Sequence, residues 1–525
     1  MANQLHQIIN MKNLIPFFFL LFSQICYAQS PPIQWQKSLG GSLWDVGSSI
    51  QQTGDGGYIV AGLTYSNDGD VSGNHGEADY WIVKLNSDGN IQWQKSLGGS
   101  AWDEGNVIQQ TADGGYIVAG LTESNDGDVS GNHGTADFWI VKLNSDGNIQ
   151  WQKSLGGSAW DVANAIQQTA DGGYIVAGMT ESNDGDVSGN HGKADCWIVK
   201  LNSDGSIQWQ NSMGGSRHDA ANSIQQTDDA GYIVAGRSNS IDGDVSGNHG
   251  SADYWIVKLN STGIIQWQKS LGGFGLDVAN SIQLTADGGV IIAGYSFSND
   301  GDVSGNHGES DYWIVKLTST GIIEWQKALG GYRKDASYST QQTADGGYIV
   351  AGQAESYEGD VTGHHGWTDF WIVKLNSVGS FQGGKSLGGS AGEDASSILQ
   401  TTDGGYIVAG YSYSNNGDVS GNHGESDVWI VKLSPEFVGV DDALNTPSEQ
   451  LEIYPNPAHQ SISLKIASED PVLKVTIYDL LSREMLRQSI PNDGPLDISS
   501  LANGLYLLVA NTPSGKIFSG KFLKE

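Results

Sequence analysis

The stretch from Asn106 to Leu155 reads NVIQQTADGGYIVAGLTESNDGDVSGNHGTADFWIVKLNSDGNIQWQKSL. Four runs in it are rich in β-branched and aromatic residues: Asn106 to Thr111, Tyr116 to Leu121, Phe138 to Leu143 and Ile149 to Leu155. Ala112-Asp113-Gly114-Gly115 divides the first run from the second, and Ser145-Asp146-Gly147 divides the third from the fourth. Asp-Gly between such runs is among the strongest short-range hairpin signals, and glycine recurs too often to leave room for a helix. The stretch therefore predicts four antiparallel strands, with a longer loop from Asn125 to Gly134 between the second and third.

The same pattern recurs along the chain. Trp81, Trp139, Trp197, Trp255, Trp313, Trp371 and Trp429 are evenly spaced, and so are Gly57, Gly115, Gly173, Gly231, Gly289, Gly347 and Gly405. Units of four strands at a fixed period describe a β-propeller, here of seven blades, within residues 29–433. Three features favour a closed ring over an open solenoid. Ile33 to Leu39 is a fourth-strand sequence with no unit before it, while the last unit stops after its third strand at Leu433, so the N-terminal strand can complete the last blade. The first strands carry small residues, Gly47, Gly105, Ala163, Ala221, Ala279, Ser337 and Ala395, as strands crowded round an axis require. Neither end has the polar capping repeat of a solenoid. Separate beads are disfavoured because a unit of this size is marginal alone.

Within 525 residues there are 73 Gly, 17 Trp, 26 basic and 59 acidic side chains, for a formal charge of −33. That balance excludes phosphate-backbone binding, which rests on Lys and Arg, and favours cations or neutral ligands. Residues 1–28 read as an export signal: Lys12 is basic, Leu14 to Ile25 apolar, and Cys26-Tyr27-Ala28 places small residues before the cleavage point. Met11 offers an alternative start. Cleavage leaves Cys196 as the sole thiol, so no intramolecular disulfide is expected, and the mature chain has no transmembrane span.

Residues 434–449 read as a linker and 450–525 as a small β-sandwich of short apolar runs divided by turn signals. Tyr454-Pro455-Asn456-Pro457, Val475-Thr476-Ile477-Tyr478-Asp479, Leu501-Ala502-Asn503-Gly504-Leu505-Tyr506 and Lys521-Phe522-Leu523-Lys524 occur there in order. This segment resembles the type A C-terminal sorting domain of type IX secretion substrates. The resemblance implies the type IX machinery as a partner and an extracellular or outer cell-surface location. Leu481-Ser482, where the family usually has glycine, is a departure taken as a tolerated turn change.

Two loops carry candidate chemistry. Between second and third strands, Asp68, Asp70, Ser72, Gly73 and Asp79 stand at the ligand spacing of a calcium loop. The spacing returns as Asp126, Asp128, Asp137; Asp184, Asp186, Asp195; Asp242, Asp244, Asp253; and Asp300, Asp302, Asp311, and weakens where Glu358 and Asn416 replace the first Asp. A weak, structural Ca²⁺ site is one expectation; the other is that these residues form turns and pin the loop through backbone amides. The repeated histidines, His75 to His423, read as polar loop residues.

The loop from fourth to first strand opens on the same face and diverges between units. Trp44, Trp102 and Trp160 occupy it in three units, followed by Asp45, Asp103 and Asp161. Tryptophan beside carboxylate is suited to stacking on a sugar and accepting from its hydroxyls. The expected function is thus a non-catalytic, exported binding module for a carbohydrate or protein. A structural or adhesive surface protein and a glycan-cleaving enzyme are the alternatives; the enzyme is disfavoured because nearly every carboxylate is repeated and none forms a singular catalytic set.

Overall fold

The computed structural model describes residues 31–435, 451–466, 474–478, 484–489, 495–511 and 517–525. The expected signal, 1–28, and most of the linker lie outside the described residues. From Pro31 to Pro435 the chain forms seven four-stranded antiparallel sheets, six of them following chain order from inner to outer strand. In the second blade the strands are Asp103–Gln110, Tyr116–Thr122, Asp137–Leu143 and Ile149–Leu155.

The seventh sheet is completed by the N-terminal strand. Ile33–Leu39 lies beside Asp427–Leu433, with Lys37 opposite Ile430 and Ser38 opposite Trp429. The Trp429 indole donates to Gln36 Oε1 at 2.9 Å. The seven first strands touch in a closed circuit, Asp45–Gln52 meeting Glu393–Gln400 across the seam. Glutamines tie this circuit together: Gln51 Oε1 accepts from the Gln110 amide at 2.5 Å, and Gln52 Oε1 accepts from the Thr402 amide at 2.9 Å across the seam.

The core lies between blades. Every residue of Asp79–Leu85 is buried, as the continuous apolar run Tyr80 to Val83 dictates. Trp81 and its six equivalents are almost fully enclosed. The Tyr80 ring packs on Trp139 of the next blade with centroids 4.5 Å apart, and its hydroxyl donates to the Trp139 carbonyl at 2.8 Å. Trp35 meets Tyr58 edge-on at 5.8 Å. Such pairs contribute roughly 0.5–1.5 kcal/mol each beyond their buried area. The face opposite the candidate loops is secured in every blade by a Lys–Asp ion pair, for example Lys142 Nζ to Asp113 at 2.9 Å. Lys142 also donates to the Leu143 carbonyl.

The first strand differs from expectation: it starts at Asp103, not Asn106. Gly105 pairs with Gly120 and Val107 with Ala119, leaving Asn106 unopposed as a bulge. The same irregularity falls at Ser48, Asn164, Asn222, Asn280, Tyr338 and Ser396. A bulge re-aims its side chain. Here Asn106 Nδ2 reaches the Ala163 carbonyl of the next blade at 3.0 Å, and Asn164 and Asn222 repeat the contact.

The C-terminal segment has two sheets. One joins Leu451–Tyr454, Ser461–Ile466 and Leu496–Asp497; the other joins Glu484–Ser489, Lys474–Tyr478, Gly504–Asn511 and Ile517–Lys524. Ile462, Val475, Ile477, Leu508 and Phe522 share its core, as expected for a small sandwich.

Candidate functional site

The loop face is organised around the Gly-Gly dipeptide that ends each fourth strand. In the third unit four consecutive amides are answered by four side chains of that unit. Gly156 N–H donates to Asp186 Oδ2 at 3.4 Å, Gly157 to Asp161 Oδ2 at 2.8 Å, Ser158 to Asp184 Oδ1 at 2.7 Å and Ala159 to Ser182 Oγ at 3.0 Å. Gly40, Gly41, Ser42 and Leu43 do the same with Asp70, Asp45, Asp68 and Ser66. Successive N–H groups form an anion-binding nest, and here the chain fills it with its own carboxylates. Glycine is required: a Cβ on Gly98 would sit 2.5 Å from Asp103 Oδ2 and 2.6 Å from Asp79 Oδ1.

That geometry supports the pinning alternative. Asp68 and Asp70 serve the Gly40-Gly41 turn at the start of their own blade, whereas Asp79 faces Gly98 at the junction with the next. The same division separates Asp126 and Asp128 from Asp137, Asp184 and Asp186 from Asp195, Asp242 and Asp244 from Asp253, and Asp300 and Asp302 from Asp311. The expected ligands of one ion thus stand at different turns, and among the described residues no three His, Cys, Asp or Glu side chains gather as a metal site. The pinning role accounts for the oxygens that the spacing brought into question.

Each junction instead joins two buried carboxyl groups, one from each blade. Asp103 has no exposed surface and accepts from Thr122, Ser124 Oγ at 2.8 Å and the Gly99 amide at 2.7 Å. Asp79, also fully buried, accepts through Oδ2 from the His75 amide at 3.0 Å and lies 2.6 Å from the His75 ring nitrogen. Its Oδ1 has no partner, a state shared by its six equivalents, Asp137, Asp195, Asp253, Asp311, Asp369 and Asp427. Burial pushes Asp79 up to about 6, with the His75 hydrogen bonds opposing it and the Asp103 charge adding to it. Burial likewise raises Asp45, Asp137 and Asp335 to about 6. The histidines are part-exposed local partners of these acids, as expected of polar loop residues.

The expected sugar-stacking set is also rearranged. Asp45, Asp103 and Asp161 are turned inward and spent on the nests, so they do not present oxygens to solvent. Trp44 is half exposed and meets Tyr65 edge-on at 6.3 Å, while Trp102 and Trp160 are partly covered, Trp160 packing on Leu121, Ala136 and Val162.

A cavity of about 510 Å³ opens beside the axis on this face, between blades three to six. Leu276 and Lys334, the counterparts of Trp44 in later units, line it, so the variable loop does border the cleft but from other blades. The remaining walls come from two positions that sequence reading missed. One is the bulge, which contributes Asn164, Asn222, Asn280 and Tyr338. The other is the sixth residue of the second strand, which contributes Met179, Arg237, Tyr295 and Gln353. An adjoining hollow shares Asn164, Asn222, Asn280 and Tyr338 with this cavity, and there Asp394 accepts from the Tyr411 hydroxyl. Both positions vary within otherwise near-identical strands: Leu63, Leu121, Met179, Arg237, Tyr295, Gln353 and Tyr411 occupy the second. That local loss of repetition was the available signal.

These features define an exported seven-bladed propeller with a sorting tail. Residues 452–525 match the family described as Secretion system C-terminal sorting domain, so this segment is a type IX sorting domain and the protein is exported to the cell surface or beyond. A curated relative is Regulatory protein FlaEY of Caulobacter vibrioides (strain ATCC 19089 / CIP 103742 / CB 15), 25% identical over 159 residues, which are 28% of this chain and 17% of that protein. Among solved structures, the extracellular domain of the hybrid two component system BT4673 from B. thetaiotaomicron aligns at a TM-score of 0.41 and 10% identity, covering 94% of this chain and 60% of that one. Puromycin hydrolase aligns at 0.43 and 11% identity, covering 92% and 62%. The chain spans less than two thirds of the length of each.

Proposed function

We propose that this protein is a non-catalytic binding module that takes a carbohydrate or protein ligand at the axial cleft of its loop face. One observation carries the reading: the repeat loses its symmetry where the cleft is. Packing explains why the tryptophans of the third strand recur in all seven blades, and it gives no reason for Met, Arg, Tyr and Gln to follow one another at the sixth position of the second strand. A concave site with aromatic walls and a few convergent polar groups is the usual form of a ligand pocket. The half-exposed Trp44 stands in the same loop row and supplies a further ring for contact.

Glycan-array and surface-protein binding by the full exported chain tests this, with Tyr338→Ser as the control. Ser48 and Ser396 fill the same bulge, so the scaffold accepts serine there. Retention of one ligand class by the native chain and its loss in Tyr338→Ser, at an unchanged thermal midpoint, is the expected result. Equal retention by both would move the site elsewhere, and no retention of any ligand would favour a structural or adhesive role. Turnover of a retained glycan, abolished by Asp394→Asn, would instead make the protein an enzyme.

A further inference from the structure

The lining of the 510 Å³ cavity has a charge opposite to that of the protein. The chain carries 59 acidic against 26 basic residues, yet this cavity is lined by Arg237 and Lys334 and by no Asp or Glu, the Asp394 carboxylate lying in the adjoining hollow and accepting from Tyr411. These cations are exceptional in a second way. Lysines such as Lys84 and Lys142 recur at one strand position and are spent on ion pairs with Asp55 and Asp113. The three propeller arginines, Arg217, Arg237 and Arg333, follow no repeat and all fall in the fourth and sixth units, at the loop face. Lys334 adjoins Arg333, whose guanidinium lies over the Tyr357 ring at 5.1 Å. Among the described residues no hydrogen bond or ion pair engages the Arg237 guanidinium or the Lys334 ammonium.

An arginine that is half buried in a cleft, with five donors unspent, fits a carboxylate in a bidentate grip. The other walls fit a sugar. Tyr338 and Phe297 supply aromatic walls, and Asn222 and Asn280 belong to an amide ladder: their Nδ2 atoms donate to backbone carbonyls at 2.9 and 2.8 Å, and each Oδ1 accepts from the preceding Asn at 3.4 Å, which leaves each oxygen a second lone pair for a hydroxyl group. Resting on the binding role proposed above, we infer that the ligand is an acidic oligosaccharide, its uronate carboxylate held between Arg237 and Lys334 and its ring against Tyr338. The surrounding negative field repels highly charged polyanions, so a ligand with scattered carboxylates and many hydroxyls fits better than a densely charged one.

Calorimetric titration of the full exported chain with a galacturonic acid trimer, and with its neutral methyl ester, tests the inference. The acid is expected to bind at least about tenfold more tightly than the ester, with affinity falling as salt rises. Arg237→Leu restores the residue found at Leu63 and Leu121, so the blade tolerates it, and it is expected to erase the preference for the acid at an unchanged thermal midpoint. Equal binding of acid and ester, or an unchanged preference in Arg237→Leu, overturns the anionic assignment while leaving the binding role standing. Absence of binding to acid, ester and every array glycan overturns both.

Discussion

Asp45→Asn isolates what one junction carboxyl contributes. In the folded chain burial raises Asp45 to about 6 from the ordinary 3.8, against hydrogen bonds from Thr64, Gly41 and Ser66 and with help from Asp427. The native state therefore holds the proton more tightly than the unfolded chain, and stability is greatest below the unfolded pKa and falls as pH rises through the folded one. A shift of about two units corresponds to about 3 kcal/mol lost across that window. Asparagine does not titrate, so its variant lacks this loss. It also turns an N–H₂ toward either the Gly41 amide, 2.7 Å from the acid, or the hydroxyls of Thr64 and Ser66. One mismatched buried donor costs about 1–3 kcal/mol.

The variant should thus be less stable than wild type by about 1–3 kcal/mol near pH 4 and equal to it or more stable near pH 7.5. Urea unfolding followed by tryptophan fluorescence at several pH values measures the gap, and taking a difference cancels the six other junctions. A gap that stays constant, or widens with rising pH, refutes the claim that burial holds the proton on this acid.

Deleting residues 29–39 should leave the Asp427–Leu433 edge unpaired and make the mass read by light scattering rise with concentration more steeply than for the full chain; an unchanged concentration dependence would disprove closure by the N-terminal strand. Because the spaced oxygens stand at separate turns, millimolar CaCl₂ and EDTA should give the same thermal midpoint, and a rise with calcium would restore the metal reading. Asp113→Asn tests the opposite sign of linkage. Burial opposes the Asp113 charge, but hydrogen bonds from Thr111, Lys142 and Gly115 outweigh it and bring the group to about 2. Its stabilisation is present above the unfolded value of 3.8 and lost as pH falls through 2, so the variant should be weaker at pH 7 and match wild type near pH 2; a deficit independent of pH would refute the pairing.

The fold was legible because its signals are local and repeated. Asp113-Gly114 and Asp146-Gly147 mark turns, the apolar run Phe138 to Leu143 marks a strand buried on both faces, and the orphan strand at Ile33 marks closure. What escaped were contacts between units. Spacing placed Asp68 and Asp79 in one loop, but the strand direction reverses between them and a single blade spans the gap, so they face different Gly-Gly turns. The bulge at Asn106 was invisible because an unopposed residue leaves no mark in an otherwise alternating strand. Trp44, Trp102 and Trp160 drew notice through their size, whereas the cleft is lined by Arg237 and Tyr295, which look like ordinary substitutions until the ring brings them together.

The same symmetry that hides the site also identifies it. Repeated polar groups of both faces and of the first strands have structural duties: Asp68, Asp70 and Asp45 fill a nest, Lys84 pairs with Asp55, and Gln51 bridges first strands. A repeated group so committed is poorly placed to discriminate a ligand, since using it would unpin a loop. Departures from the repeat carry no such duty, and Arg237 and Lys334 are departures that meet in one cleft. The formal charge of −33 counts every carboxylate as ionised, yet burial holds Asp45, Asp79, Asp137 and Asp335 near 6. Mild acid therefore reduces the negative field of the junctions while a uronate carboxylate stays largely ionised. An acidic ligand should accordingly be held more tightly near pH 5.5 than near pH 7.5, whereas its neutral methyl ester should be held equally at both.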